Sequence, residues 1–86
     1  MNHLMKYIDE DILFWFRNAK YYFKKGNYDE SIDYCMKIYE SEPDHGEALL
    51  YLGKCHANKK NLDQALDFFR KASAINADRV KNDYLY

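Results

Sequence analysis

Residues 25–34 read KGNYDESIDY and residues 59–68 read KKNLDQALDF, so the chain writes nearly the same ten residues twice, 34 positions apart. Lys25 and Lys59, Asn27 and Asn61, Asp29 and Asp63, and Asp33 and Asp67 are identical. Glu30/Gln64, Tyr28/Leu62, Ser31/Ala65, Ile32/Leu66 and Tyr34/Phe68 agree in size or kind. The same offset carries residues 12–45 onto 46–79 without a gap, pairing Trp15 with Leu49, Ala19 with Gly53, Tyr22 with His56, Cys35 with Phe69 and Ile38 with Ala72. A period of this length holding two helix-sized stretches marks a helical repeat array, in which one unit cannot bury its own apolar face and must stack on a neighbour.

The spacing of apolar residues predicts helices over about residues 9–25, 28–41, 45–58 and 62–75, followed by a helical stub from near Asp78. Three breaks carry a short side-chain acceptor with Glu or Gln three residues later: Asn27 with Glu30, Asp44 with Glu47, and Asn61 with Gln64. Gly26 stands where a left-handed residue ends the first helix, and Pro43 follows the second. Connections this short make neighbouring helices pack antiparallel. The first helix has two candidate starts. Leu4, Ile8, Ile12, Trp15, Ala19 and Tyr22 keep helical spacing back to Asn2, whereas acidic Asp9, Glu10 and Asp11 suit a helix N-terminus at Asp9.

With 86 residues, the chain is one small domain that buries roughly 60 to 65% of its unfolded surface. Hydrophobic residues at 48% and aromatics at 17% are too many for a disordered chain, and a net charge of −1 provides no bulk attraction to nucleic acid or anionic lipid. The longest apolar run, Ile12 to Phe16, is far short of the roughly 20 residues of a membrane span, and the opening residues lack the pattern of a secretory signal. The expectation is a cytoplasmic protein with no nucleic-acid and no membrane partner. Cys35 and Cys55 are too few for a disulfide framework and fit reduced, buried thiols.

The pattern resembles the tetratricopeptide repeat family, a helix-turn-helix unit of the same length. Residues 12–45 supply Trp15, Ala19, Tyr22, Gly26, Asn27, Tyr28, Ser31 and Pro43, and residues 46–79 supply Leu49, Leu52, Gly53, Asn61, Leu62, Ala65, Phe69 and Ala72. Departures are Asn18 for Leu, Cys35 for an aromatic, Ile38 for Ala, Lys60 for Gly and Ala77 for Pro. The resemblance implies an all-α fold of antiparallel helix-turn-helix repeats stacked as a short right-handed α-solenoid. It divides the single domain 1–86 into repeat 1 over about 12–45, repeat 2 over about 46–79 and a C-terminal capping stub at 80–86.

Function is implied by the same resemblance: a non-enzymatic adaptor or scaffold whose concave face, lined by the first helix of each pair, holds a peptide segment of a partner. The side chains expected on that face are Leu13, Phe16, Lys20, Phe23 and Lys24 from repeat 1, and Glu47, Leu50, Lys54, Ala57 and Asn58 from repeat 2. Apolar anchors among three lysines suit a peptide with an aromatic or aliphatic residue and nearby carboxylates. One subclass of the family clamps a chain-terminal carboxylate of heat-shock chaperones with Lys, Asn, Asn, Lys and Arg; here those places hold Phe16, Lys20, Tyr51, Lys81 and Leu85, so chaperone-tail binding is not expected. The alternative is a self-associating module, a homo-oligomer built through uncapped ends, because so small a core gains from a neighbour.

No chemistry of other kinds stands out. His3, His45, His56, Cys35 and Cys55 show no metal-ligand spacing, Cys55 and His56 point to different helix faces, and His56 stands where the repeat has a core Tyr. Asp29, Glu30 and Asp33 fit a capped turn and a solvated face rather than an acid-base pair. Neither a metal nor any cofactor is expected. Small residues at Ala19, Ser31, Gly53, Ala65 and Ala72 let helix axes approach to about 8 to 10 Å. Replacing Ala65 by Leu is therefore expected to lower stability by about 1 to 3 kcal/mol in a thermal melt, through overpacking of that crossing.

Overall fold

A computed structural model of the chain describes residues 9–84, with side chains described for residues 10–77. Four helices follow in order: α1 (Asp9–Lys24), α2 (Tyr28–Ser41), α3 (Gly46–Asn58) and α4 (Leu62–Tyr84). The two connections after α1 and α3 are tight turns, so α1 with α2 and α3 with α4 form antiparallel hairpins, and α3 also packs on α2. Helix α1 touches α3 as well, whereas the backbones of α2 and α4 stay apart among the described residues. The hairpins thus converge along α1 and α3 and diverge along α2 and α4, the arrangement of an all-helical repeat solenoid.

Both hairpins turn in the same way. At the end of α1 the amide of Gly26 donates to the Phe23 carbonyl at 3.0 Å and that of Asn27 to the Tyr22 carbonyl at 2.9 Å. After α3 the amide of Lys60 donates to the Ala57 carbonyl at 3.0 Å and that of Asn61 to the His56 carbonyl at 2.8 Å. This is the Schellman arrangement, which needs a left-handed residue just past the helix end. Gly26 adopts it at φ 81° and Lys60, without glycine's freedom, at φ 69°.

The core is built from three helices at a time. Ile12, Ile38 and Ala48 form one buried cluster, with Trp15 and Phe16 packed against it. Ala19, Cys35 and Leu52 form a second, flanked by Ile32, Tyr39, Tyr51 and Phe68. Each cluster takes one residue from α1, one from α2 and one from α3, so the repeats share a core rather than owning two. The buried hydroxyl of Ser31 donates to the Ala19 carbonyl at 2.8 Å, which satisfies the one polar side chain in this crossing. On α3, a methyl group added at Gly53 would lie 2.6 Å from the Phe69 ring, so the absence of a side chain there sets the α3–α4 distance.

The repeat extends to ring geometry. Tyr22 and Tyr34 stack with centroids 5.9 Å apart and planes 8° apart. Their equivalents, His56 and Phe68, stack at 5.7 Å and 10°. His56 therefore occupies the place of a core tyrosine, as its position in the repeat suggests.

Three expectations change at the helix ends. Asn27 makes no side-chain capping bond. Asp44 does not cap α3 either: His45 does, its Nδ1 accepting from the Ala48 amide at 3.0 Å, which moves the helix start to Gly46. Helix α4 does not stop near residue 75 and restart at Asp78, but runs unbroken to Tyr84. Ala77 stands where a proline would have ended it, and no Gly or Pro follows Leu62 to interrupt the ladder. The earlier start for the first helix, with Leu4 and Ile8, lies outside the described residues.

The paired turns give a direct test. A non-glycine residue in the left-handed region costs about 1 to 2 kcal/mol, partly offset by the extra freedom glycine has in the unfolded chain. Lys60→Gly is expected to raise stability by about 0.5 to 1 kcal/mol. Gly26→Ala is expected to lower it by about 1 kcal/mol, although no atom lies within 4 Å of the added methyl. Melting temperatures of the two variants should move in opposite directions by several degrees for a chain of this size.

Candidate functional site

Because α1 and α3 converge, their facing side chains form a continuous aromatic row. Tyr51 of α3 stands at its centre, with the Phe16 ring 5.6 Å away at 78° and the Phe23 ring 5.2 Å away at 86°. Phe16 continues to the His45 ring at 5.4 Å, and Phe23 to the Tyr28 ring at 5.6 Å. All these contacts are edge-to-face, the geometry the aromatic quadrupole favours. The Tyr28 hydroxyl donates to Asn58 Oδ1 at 3.3 Å, tying the start of α2 to the end of α3, and Asn58 Nδ2 donates to the Lys54 carbonyl at 2.8 Å.

Two lysines lie on this row. The ammonium of Lys20 sits 4.7 Å from the centroid of Phe16, and that of Lys54 sits 5.0 Å from the centroid of Tyr51. Cation–π attraction of this kind contributes about 0.5 to 1 kcal/mol at exposed sites. It holds the charged heads over the rings while leaving their other donors free to meet an anion. The face can therefore offer aromatic edges to an apolar group and two positive charges to a carboxylate beside it.

Of the residues expected on this face, Phe16, Lys20, Phe23, Lys54 and Asn58 come together around Tyr51. Leu13, Lys24 and Leu50 are exposed, with Leu13 60% and Leu50 39% accessible, and none of the ring contacts ties them to the row. Glu47 lies at the α2–α3 turn, where it lines a polar recess with Glu42, Asp44, His45 and Gly46. Tyr51, which the sequence places at a clamp position of one family subclass but not among the residues expected on this face, is the centre of the row. Its signal was present: it lies three residues before Lys54 and four after Glu47, on the same helical face.

The thiols are set apart from this face. Cys35 and Cys55 are both fully buried. Burial, reinforced by the neighbouring Cys55, pushes the Cys35 thiol up to about 12, and burial likewise raises Cys55. Neither is poised as a nucleophile, because the thiolate is the reactive form. Among the described residues no three His, Cys, Asp or Glu side chains converge on a point where a metal could sit. Nor is any described helix long and apolar enough to cross a membrane.

A family model for the tetratricopeptide repeat matches residues 16–79, most of the chain. The chain belongs to the tetratricopeptide repeat family. Among curated proteins, none matches it. Tetratricopeptide repeats are generally protein–protein interaction modules and typically non-catalytic.

In this tetratricopeptide repeat protein, His56 couples the packing of repeat 2 to pH. Its burial, then the Lys59 charge nearby, lower its pKa below the ordinary 6.5. The unfolded chain takes up that proton first, so His56 costs the fold nothing above about pH 6.5 and destabilises it progressively as pH falls from there toward the lowered folded value. Thermal melts between pH 8 and about pH 5 are expected to show this loss. His56→Tyr, which restores the tyrosine of the other repeat, should make the decline shallower.

Proposed function

We propose that this chain is an adaptor module that holds an extended peptide segment of a partner protein on the face shared by α1 and α3. The peptide's apolar anchor, aromatic or aliphatic, rests against Phe16, Tyr51 and Phe23, and a carboxylate beside it meets Lys20 and Lys54. The observation that carries this proposal is the seating of two ammonium groups over two rings of one aromatic row. Lys25, Lys37 and Lys71 also stand over rings; Lys20 and Lys54 differ in that their two rings, Phe16 and Tyr51, touch across two helices and form one apolar platform. Leu13 and Leu50 add exposed apolar surface on the same two helices, and Lys24 adds charge near the far end of α1.

The energetic division follows from exposure. Each solvent-exposed charge pair adds about 0.2 to 1 kcal/mol, so the lysines select among peptides more than they hold them. Most of the affinity comes from the desolvated anchor on the rings. Asn58 is occupied by Tyr28 and the Lys54 carbonyl, which assigns it to shaping the face.

The test is a fluorescence-polarisation titration with two labelled peptides, one with a tryptophan flanked by Asp and Glu and one with the acids replaced by Lys. The acidic peptide is expected to bind more tightly, with an affinity that falls as salt rises. Reversing both lysines, Lys20→Glu with Lys54→Glu, is expected to weaken it by about 5- to 30-fold, the range that two such pairs allow. Equal binding of the acidic peptide by the reversed variant would rule the site out.

A further inference from the structure

We infer that a second copy of this chain docks head-to-tail on it, the outer face of α4 in one copy receiving the outer face of α1 in the next, in the manner in which α2 receives α3 within the chain. The 34-residue equivalence makes the comparison residue by residue. On α2, Ile32 packs against the cluster that contains Leu52 of α3, and Tyr28 bonds to Asn58. Their equivalents on α4, Leu66 and Leu62, stand 49% and 66% exposed. On α3, Ala48 and Cys55 are fully buried, while their equivalents on α1, Phe14 and Tyr21, are 55% and 54% exposed. At these four positions the surfaces that meet inside the chain recur, exposed and apolar, at its two edges, while Asn18 stands at the place of Leu52 and Arg70 at that of Met36.

Charge and volume complement each other across those edges. Inside the chain Lys59, just past α3, pairs with Asp29 at the start of α2. The equivalents are Lys25 and Asp63, both exposed, one on each edge. The docked copy brings them together in the same register. The bulk of Phe14 in place of Ala48 is matched on the other side. In repeat 2 the Phe68 ring is covered edge-on by Tyr39 of the preceding α2, at 5.9 Å. In repeat 1 the equivalent ring, Tyr34, is covered edge-on by Phe14 itself, at 6.5 Å. The equivalent of Tyr39 on α4 is Ser73, an exposed small residue. Where the internal interface sets a large residue on the α2 side and a small one on α3, the docked interface has the small one on α4 and the large one on α1. The large side chain is kept and its source exchanged.

This proposal rests on the repeat assignment and not on the peptide-binding proposal, since Phe16, Lys20, Phe23, Tyr51 and Lys54 take no part in it. A contact between two different faces leaves one free face at each end of a dimer, and a docked copy that repeats the internal step of the solenoid adds further copies in a row. Sedimentation velocity over roughly 10 µM to 1 mM, the range in which a modest interface populates, should show an average mass that rises with concentration past that of a dimer. Leu66→Glu blocks the α4 edge and Tyr21→Glu blocks the α1 edge; both residues are exposed, so helicity by circular dichroism should be unchanged. Each variant alone is expected to be monomeric, and the equimolar mixture is expected to form a one-to-one pair that grows no further. Lys25→Glu should weaken association, and adding Asp63→Lys to the same chain should recover it. A wild-type chain that stays monomeric throughout, a mixture that fails to pair, or a Tyr21→Glu variant that still dimerises would each overturn the proposal.

Discussion

Helix α3 can lie against α1, α2 and α4 at once only because the side chains at the crossings are small. Ala19 and Ser31 meet where α1 crosses α2, and Gly53 lies under Phe69 where α3 crosses α4. Ala48 takes its place in a cluster with Ile12 and Ile38. Close approach brings large residues from three helices into the same two clusters, and shape rather than composition decides how tightly they pack. The single buried hydroxyl in this crossing, on Ser31, carries no desolvation penalty because a carbonyl of α1 accepts it.

The aromatic row is a consequence of that approach. Phe16 and Phe23 lie on α1 and Tyr51 on α3, and their rings meet because the two helices converge. Lys20 and Lys54 lay their aliphatic stems along the same surface and hold their charges over the rings, a placement that suits long amphipathic side chains. An aromatic face of this kind therefore needs no loop and no flexible segment. It comes from rigid helices whose spacing is set on the far side of the row, in the core.

Much of this was legible in the sequence because the repeat states each element twice. The pairing of Tyr22 with His56 and of Tyr34 with Phe68 is visible by offset alone, and the ring of each first-helix residue stacks on that of its second-helix partner. Gly26 announced its turn. Lys60 did so only through its position, since nothing about lysine suggests a left-handed backbone. Cap chemistry was less legible: Asn27 and Asp44 have the right side chains, yet neither caps its helix, and in the second case the role passes to His45. The length of α4 was hidden for a different reason. The end of a repeat is not the end of a helix, and a helix stops only where a residue stops it. The proposed binding face was legible as a set of helical positions but not as a centre. Tyr51 gains its importance from what α1 brings to it, and a contact between helices has no signature in the spacing of one.

The buried sulfurs have a consequence for how the chain can be observed. Cys35 belongs to a cluster with a residue from each of α1 and α3, and Cys55 is fully buried on α3. Both are held as thiols that resist ionisation. A thiol-directed reagent reaches them only when the helices part, so the chain carries two internal clocks, one on each side of the junction between its repeats. Their alkylation reports on how often the solenoid breathes open there.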